Sequence, residues 1–163
     1  MADTRNILIL GVGNILYTDE GLGVRVVEEL QQEFDFPDTI ELMDGGTLGA
    51  KLMGPMMERD QLIVVDAVLQ DGQPGDIYRL EGEDLRASLA FKNSLHDSDL
   101  LDTLMQCEII GHRPEAVVIG VEPEDYHSLA IDVTPAIRAR FPEIKAKVLE
   151  ELVRQGGSYT AKS

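Results

Sequence analysis

Cysteine is almost absent from this sequence: Cys107 stands alone. No disulfide can form within the chain, and no thiolate-rich metal site can be assembled. Basic residues are scarce as well, with 14 Lys and Arg against 30 Asp and Glu and a formal net charge of -16. A field of that sign repels polyphosphates and anionic headgroups, which argues against nucleic acid and membrane surfaces as partners and suits a metal ion or a neutral or cationic peptide. Long apolar runs are missing too. The run from Ile7 to Leu10 is too short for a signal-peptide core or a membrane span, so the cytoplasm is the expected compartment. Repeats and low-complexity tracts are absent, and 163 residues suit a single domain, 1–163, around one core.

Several catalytic patterns are lacking as well. There is no HExxH for a zinc peptidase, no GxSxG nucleophile elbow and no GK[ST] of a phosphate loop. Cys107 falls on a predicted helix and reads as a core residue rather than a nucleophile.

What is present is an alternation of strands and helices. Asn6 to Gly11 (NILILG) reads as a buried strand, and Leu22, Val26, Val27, Leu30 and Phe34 form the apolar stripe of a helix. A second strand runs from Ile40 to Asp44 and ends in DGGT, where Thr47 is placed to cap a short helix carrying Leu48, Leu52 and Met53. Gln61 to Asp66 (QLIVVD) is apolar through its middle, as in a sheet covered on both faces. Asp76 to Glu81 follows too soon for a parallel crossover and is expected as an antiparallel edge strand. Leu100, Leu101, Leu104 and Met105 mark another helix, and Ala116 to Val121 a fifth, central strand. In the last segment Thr134 can cap, Pro135 takes the first helical position, and Pro142 interrupts the stripe of Ile137, Phe141, Ile144, Val148 and Leu152. Gly156 and Gly157 end it, leaving residues 158–163 as a loose tail. The expected fold is an α/β three-layer sandwich, with a mostly parallel twisted sheet of about five strands and helices on both faces. If the second and third strands flank the first, the crevice between strands one and three is the switch point where such folds bind ligands.

The opening loop, GVGNILYTDEGLG from Gly11 to Gly23, sits at that crevice. A dinucleotide fingerprint needs three glycines, and Leu16 stands where the third belongs. Asp19 and Glu20 also occupy the place at the helix start that a phosphate would take. Asp19 can act as a cap while Glu20 points into the crevice as a ligand. Asp66 ends an apolar strand at the same edge, and Asp44 ends its neighbour, both positions where an acid is either a turn former or a site residue.

Of the three histidines, His112 in GHRP reads as a turn residue and His127 lies in a polar loop after the fifth strand. His96 stands at the start of a predicted helix, where the dipole favours neutral imidazole, the ligand form. Glu20, Asp66 and His96 together would offer two carboxylates and one imidazole, a set suited to zinc or nickel with coordination positions left open. Open positions serve either catalysis or capture of a metal brought by a partner.

With these residues in view, the sequence closely resembles the hydrogenase maturation endopeptidases. The resemblance rests on NILILGVGNILYTDEGLGVRVVEEL, on the DGGT at Asp44 to Thr47, on LIVVDAV around Asp66 and on the segment holding His96. It implies a cytoplasmic enzyme that removes a C-terminal extension from the precursor of a nickel-iron hydrogenase large subunit once nickel is inserted; nothing in the sequence demands more than a monomer. By the same resemblance Glu20, Asp66 and His96 bind the metal, and Asp44 matches the family's aspartate in DGG. The resemblance further implies that the nickel is supplied by the substrate and marks it as ready, with zinc or cadmium as stand-ins. A non-catalytic nickel-binding chaperone for the same precursor is the alternative reading, and a nucleotide-binding α/β protein a more distant one. The acidic surface raises the further expectation of a basic residue at the cleavage junction.

Overall fold

A computed structural model describes residues 6–46, 59–81 and 115–162. The helices expected around Leu48 and around Leu100, together with His96, Cys107 and His112, lie outside these residues. In chain order the elements are β1 (Ile7–Val12), a 3-10 turn (Thr18–Gly21), α1 (Leu22–Glu33), β2 (Phe34–Asp35), β3 (Ile40–Gly46) and β4 (Gln61–Ala67). They continue with β5 (Ile77–Glu81), β6 (Glu115–Val121), α2 (Pro135–Arg138), α3 (Phe141–Arg154) and β7 (Thr160–Ala161).

The main sheet has the order β3-β1-β4-β6-β5. All its pairs are parallel except β5 with β6, the antiparallel edge that the short connection after Asp66 predicts. β1 and β4 are buried along their whole length, which is why their sequences are unbroken apolar runs rather than alternating ones. The chain leaves β1 for β3 on one side and returns to β4 on the other, so the carboxyl ends of β1 and β4 frame the switch point.

Alternation along the strands divides the apolar side chains between two clusters. Ile7, Ile9, Ile63, Val65, Val117 and Ile119 pack against Leu22, Val26 and Leu30 of α1 and against Ile144, Val148 and Leu152 of α3. Leu8, Leu10, Leu62, Val64 and Val118 fill the opposite face. Fully burying a side chain of this size contributes about 1.5–3 kcal/mol, so these two clusters carry the stability of the sheet.

Charged contacts fix the helices against one another and against the edge strand. Lys145 reaches Glu29 (2.7 Å) and Glu33 (2.8 Å), and Arg138 joins Glu29 while its guanidinium lies 4.2 Å over the Phe141 ring. Arg79 on β5 grips the buried Glu151 of α3 with a fork, Nε to Oε1 at 2.6 Å and Nη2 to Oε2 at 3.3 Å.

Three details of the last segment differ from expectation. Pro142 is the second residue of α3 and begins that helix instead of interrupting it, while the break falls at residues 139–140. Thr134 holds the N-cap position of α2, but its side chain does not cap; its hydroxyl donates to Asp19 instead. Residues 158–162 are not a loose tail. Gly156, with φ of +94°, closes α3, the Gly157 and Gly156 N–H groups donate to the Leu152 and Val153 carbonyls, and this Schellman turn redirects the chain. Thr160 and Ala161 then pair antiparallel with Phe34 and Asp35, and Tyr159 stands edge-on to Phe34 at 5.3 Å.

Candidate functional site

The glycines of the opening loop permit close backbone approach. A Cβ at Gly23 would stand 2.0 Å from the Val65 carbonyl oxygen and 2.8 Å from that of Val12, and one at Gly11 would lie 2.5 Å from the Gly23 carbonyl oxygen. The first turn of α1 therefore lies directly on the backbones of β1 and β4. Gly13 has φ of +126°, a conformation open to glycine, and a Cβ there would meet the Glu20 carbonyl oxygen at 1.9 Å and approach Asp66 Oδ1 at 3.8 Å. Gly13 thus packs tightly on the Glu20 backbone, within van der Waals reach of the Asp66 carboxylate, where no side chain fits.

Asp19 is fully buried and does not cap α1, whose N-cap position is Gly21 without a side-chain hydrogen bond. Its carboxylate instead gathers the segment after β6. Oδ2 accepts from the Glu124 N–H (2.9 Å), the Asp125 N–H (3.0 Å) and the Thr134 hydroxyl (3.0 Å), and Oδ1 accepts from the Thr134 N–H (2.7 Å). A charged acceptor with three backbone donors outcompetes the weak pull of a helix end, which is why neither Asp19 nor Thr134 takes the capping role their positions suggest. The Asp19 N–H donates in turn to the Asp125 carbonyl (2.9 Å), locking the two loops together.

Glu20 follows on the same 3-10 turn and is half-buried, while Asp66 on β4 is fully buried. Asp66 pairs in register with Gly120, and alternation places it on the face of Leu62 and Val64. Asp44 pairs with Gly11 and is exposed. Alternation from Leu42 puts it on the α1 side, so Asp44 and Asp66 leave the sheet from opposite faces at the same edge. Among the described residues no three carboxylate, imidazole or thiol side chains converge as a metal site. His127 does not join Glu20 and Asp66: it is exposed, its ring tilted 41° against that of Tyr126 at 4.1 Å, its backbone N–H donating to Asp125 Oδ1. Carboxylates such as those of Asp66 and Glu20 are oxygen donors of the kind a divalent ion takes.

A further buried acid, Glu122, has no counterpart in the sequence-based expectations. One carboxylate oxygen accepts from the Gln70 N–H (3.0 Å), the Gly72 N–H (3.0 Å) and the Tyr78 hydroxyl (2.9 Å). It ties the β4–β5 connection to the carboxyl end of β6, beside the strand that carries Asp66. Burial, and then the bond to Glu122, push the Tyr78 phenol up to about 12. The sequence signal for Glu122 is faint, an acid directly after an apolar strand, the same pattern that singles out Asp66.

Comparison with known proteins agrees with this geometry. A family model described as hydrogenase maturation protease matches residues 24–151. The hydrogenase 2 maturation protease of Escherichia coli (strain K12) is 40% identical over 152 residues, 92% of this chain and 92% of the relative. The hydrogenase expression/formation protein HoxM of Azotobacter vinelandii is 38% identical over 153 residues, 93% of this chain and 74% of the relative. Among solved structures, the hydrogenase maturating endopeptidase HybD from E. coli superposes with a TM-score of 0.91 at 38% identity, covering 96% of this chain and 98% of that one. A [NiFe] hydrogenase maturation protease, HybD from Thermococcus kodakarensis, shares the fold with a TM-score of 0.74 at 22% identity, over 90% of this chain and 98% of that one. By sequence and by fold, this chain belongs to the hydrogenase maturation protease family.

Proposed function

We propose that this chain is the endopeptidase that removes the C-terminal extension of a nickel-iron hydrogenase large-subunit precursor, and that it acts after nickel has entered the precursor. The observation that carries the reading is the fully buried Asp66 at the carboxyl end of β4, beside the turn that bears Glu20. A carboxylate in that position favours a cation, and an acidic chain with formal charge -16 reinforces it. Glu20 and Asp66 are the proposed oxygen ligands and His96 the proposed imidazole. Nickel is treated as part of the substrate, and zinc or cadmium would serve as stand-ins. When bound, such an ion anchors and polarises the peptide next to it.

This chain's residues supply the setting for cleavage. Gly13 lets the Glu20 backbone pack close to Asp66, Asp19 fixes the turn that presents Glu20, and Asp44 offers an exposed acid at the same edge for contact with the precursor. The test is direct. Purified protein is incubated with its precursor in nickel-loaded and nickel-free forms, and intact mass is read for loss of a C-terminal peptide. Shortening of the loaded form alone is expected. Glu20→Gln, Asp66→Asn and His96→Ala should each keep their fold and lose cleavage by more than the roughly 10–100-fold that loss of a mere supporting partner of a metal ligand costs. Normal processing by all three variants removes the site assignment, and no shortening of a loaded cognate precursor leaves a holding protein as the better reading.

A further inference from the structure

Five of the seven large apolar residues exposed among the described ones fall on two loops that are far apart in sequence: Ile15, Leu16 and Tyr17 on one, Leu129 and Ile131 on the other. Ile131 is 95% exposed, Leu129 72% and Leu16 61%. The two loops are joined by backbone. Tyr17 and Ala130 form a parallel bridge, and the Ala130 N–H donates to the Leu16 carbonyl at 3.2 Å. The Thr18 hydroxyl donates to the Ser128 carbonyl. Arg25 on α1 reaches up between them, one guanidinium nitrogen donating to the Ile15 carbonyl (3.3 Å) and the Ile131 carbonyl (2.8 Å). Below lies the Asp19 carboxylate with its four hydrogen bonds.

A buried acid and a guanidinium thus hold the two loops rigidly together with their apolar side chains in water. The exposure of those side chains adds nothing to the stability of the isolated chain, and exposed apolar patches on rigid supports mark interaction surfaces. We propose that this platform docks the hydrogenase large-subunit precursor through an apolar part of its surface, outside the peptide that is cut; the inference rests on the processing reading above. Continuity with the site identifies the occupant. Tyr17 directly precedes the Thr18–Gly21 turn that carries Glu20, so a folded protein whose chain end lies at Glu20 and Asp66 has its body against the neighbouring surface. A second copy seated there would close the same crevice. The five platform side chains are uncharged in a chain of net charge -16, so the contact does not depend on a basic partner.

The test uses Leu16→Ser, Ile131→Ser and the double variant, with Val153→Ser, an exposed apolar residue of α3, as control. Steady-state processing of the nickel-loaded precursor should show KM raised roughly tenfold or more in the double variant, with kcat within about twofold and the control unchanged. Precursor affinity is measured on the same preparations by light-scattering or surface-binding titration and should fall by a similar factor. Unchanged KM and unchanged affinity in the double variant overturn the proposal. If those variants instead abolish a self-association of the free protein seen by sedimentation while KM holds, the platform is a face between copies and the proposal is also overturned. Wild-type protein that binds the precursor without cutting it counts against the peptidase reading alone, since the affinity comparison still decides the docking claim. Both single variants alter exposed side chains, so thermal melting should match wild type and either can replace a double variant that fails to fold.

Discussion

Asp19 and Glu20 are adjacent acids, yet burial separates their tasks. Asp19 is sealed inside with four hydrogen bonds, whereas Glu20 is half-buried. Asp19→Ala would leave the N–H groups of Glu124, Asp125 and Thr134 without their acceptor. Orphaned donors cost about 1–3 kcal/mol each when they stay dry, so a loss of at least about 3 kcal/mol is expected, a drop of roughly 10 °C in Tm. Thermal unfolding of the variant checks it; a shift within a degree or two would mean that water replaces the carboxylate at no cost. The site was partly legible in the sequence for a physical reason. A charge at the end of an apolar strand is conspicuous, which marks Asp66 and Asp44. What a side chain gathers from a segment more than a hundred residues away leaves no local trace, and the Asp19 network and the Glu122 cluster could not be read for that reason. Sequence position favours capping for Asp19 and Thr134 alike; tertiary hydrogen bonding overrides both.

At the scale of elements, the seating of α1 on the sheet depends on a residue that helix propensity would reject. Gly23 is the second residue of α1, where alanine should stabilise the helix by about 1 kcal/mol. The structure argues the opposite sign, because a Cβ there would stand 2.0 Å from the Val65 carbonyl oxygen. Helix α1 must then lift from β4 and carry the Glu20 turn with it. Gly23→Ala is expected to lose about 3 kcal/mol, the upper range of overpacking, together with cleavage activity. Denaturant unfolding decides between the two signs, and a stabilised, active variant would refute the close approach. The five strands of the main sheet and its antiparallel edge were legible because buried strands write continuous apolar runs and a short connection forbids a parallel return, whereas the strand order was only a condition until the topology supplied it. The β2–β7 pair was not, since two-residue strands carry no period to detect, and the start of α3 was misread because proline at a helix start and proline inside a helix look alike without the backbone.

For the whole molecule, stability should be level between about pH 5 and pH 10 and fall on both sides, for opposite reasons. Burial alone would lift the carboxyls of Glu29, Asp132 and Glu151, but Lys145 and Arg138 on Glu29, Arg138 on Asp132, and Arg79 on Glu151 hold all three below the usual range. Acids depressed in the folded state contribute stability that is complete above their unfolded values, roughly pH 4, and lost as pH falls through the folded ones. Tyr78 acts at the other limb. An unfolded tyrosine releases its proton near roughly pH 10, while the folded one, desolvated and donating to Glu122, keeps it to about 12. A raised value contributes stability that is complete below the unfolded value and lost as pH climbs to the folded one. Lysines also discharge in that range and deepen a charge already at -16, so an alkaline decline of the wild type alone does not identify Tyr78. The difference between wild type and Tyr78→Phe does. It should hold steady up to about pH 9.5 and then shrink by about 2 kcal/mol by about pH 11.5, read from urea unfolding at each pH. A difference that stays constant across that span would mean the phenol gives up its proton as easily inside the protein as outside, and would remove Glu122 as the acceptor that fastens the β4–β5 connection beside Asp66.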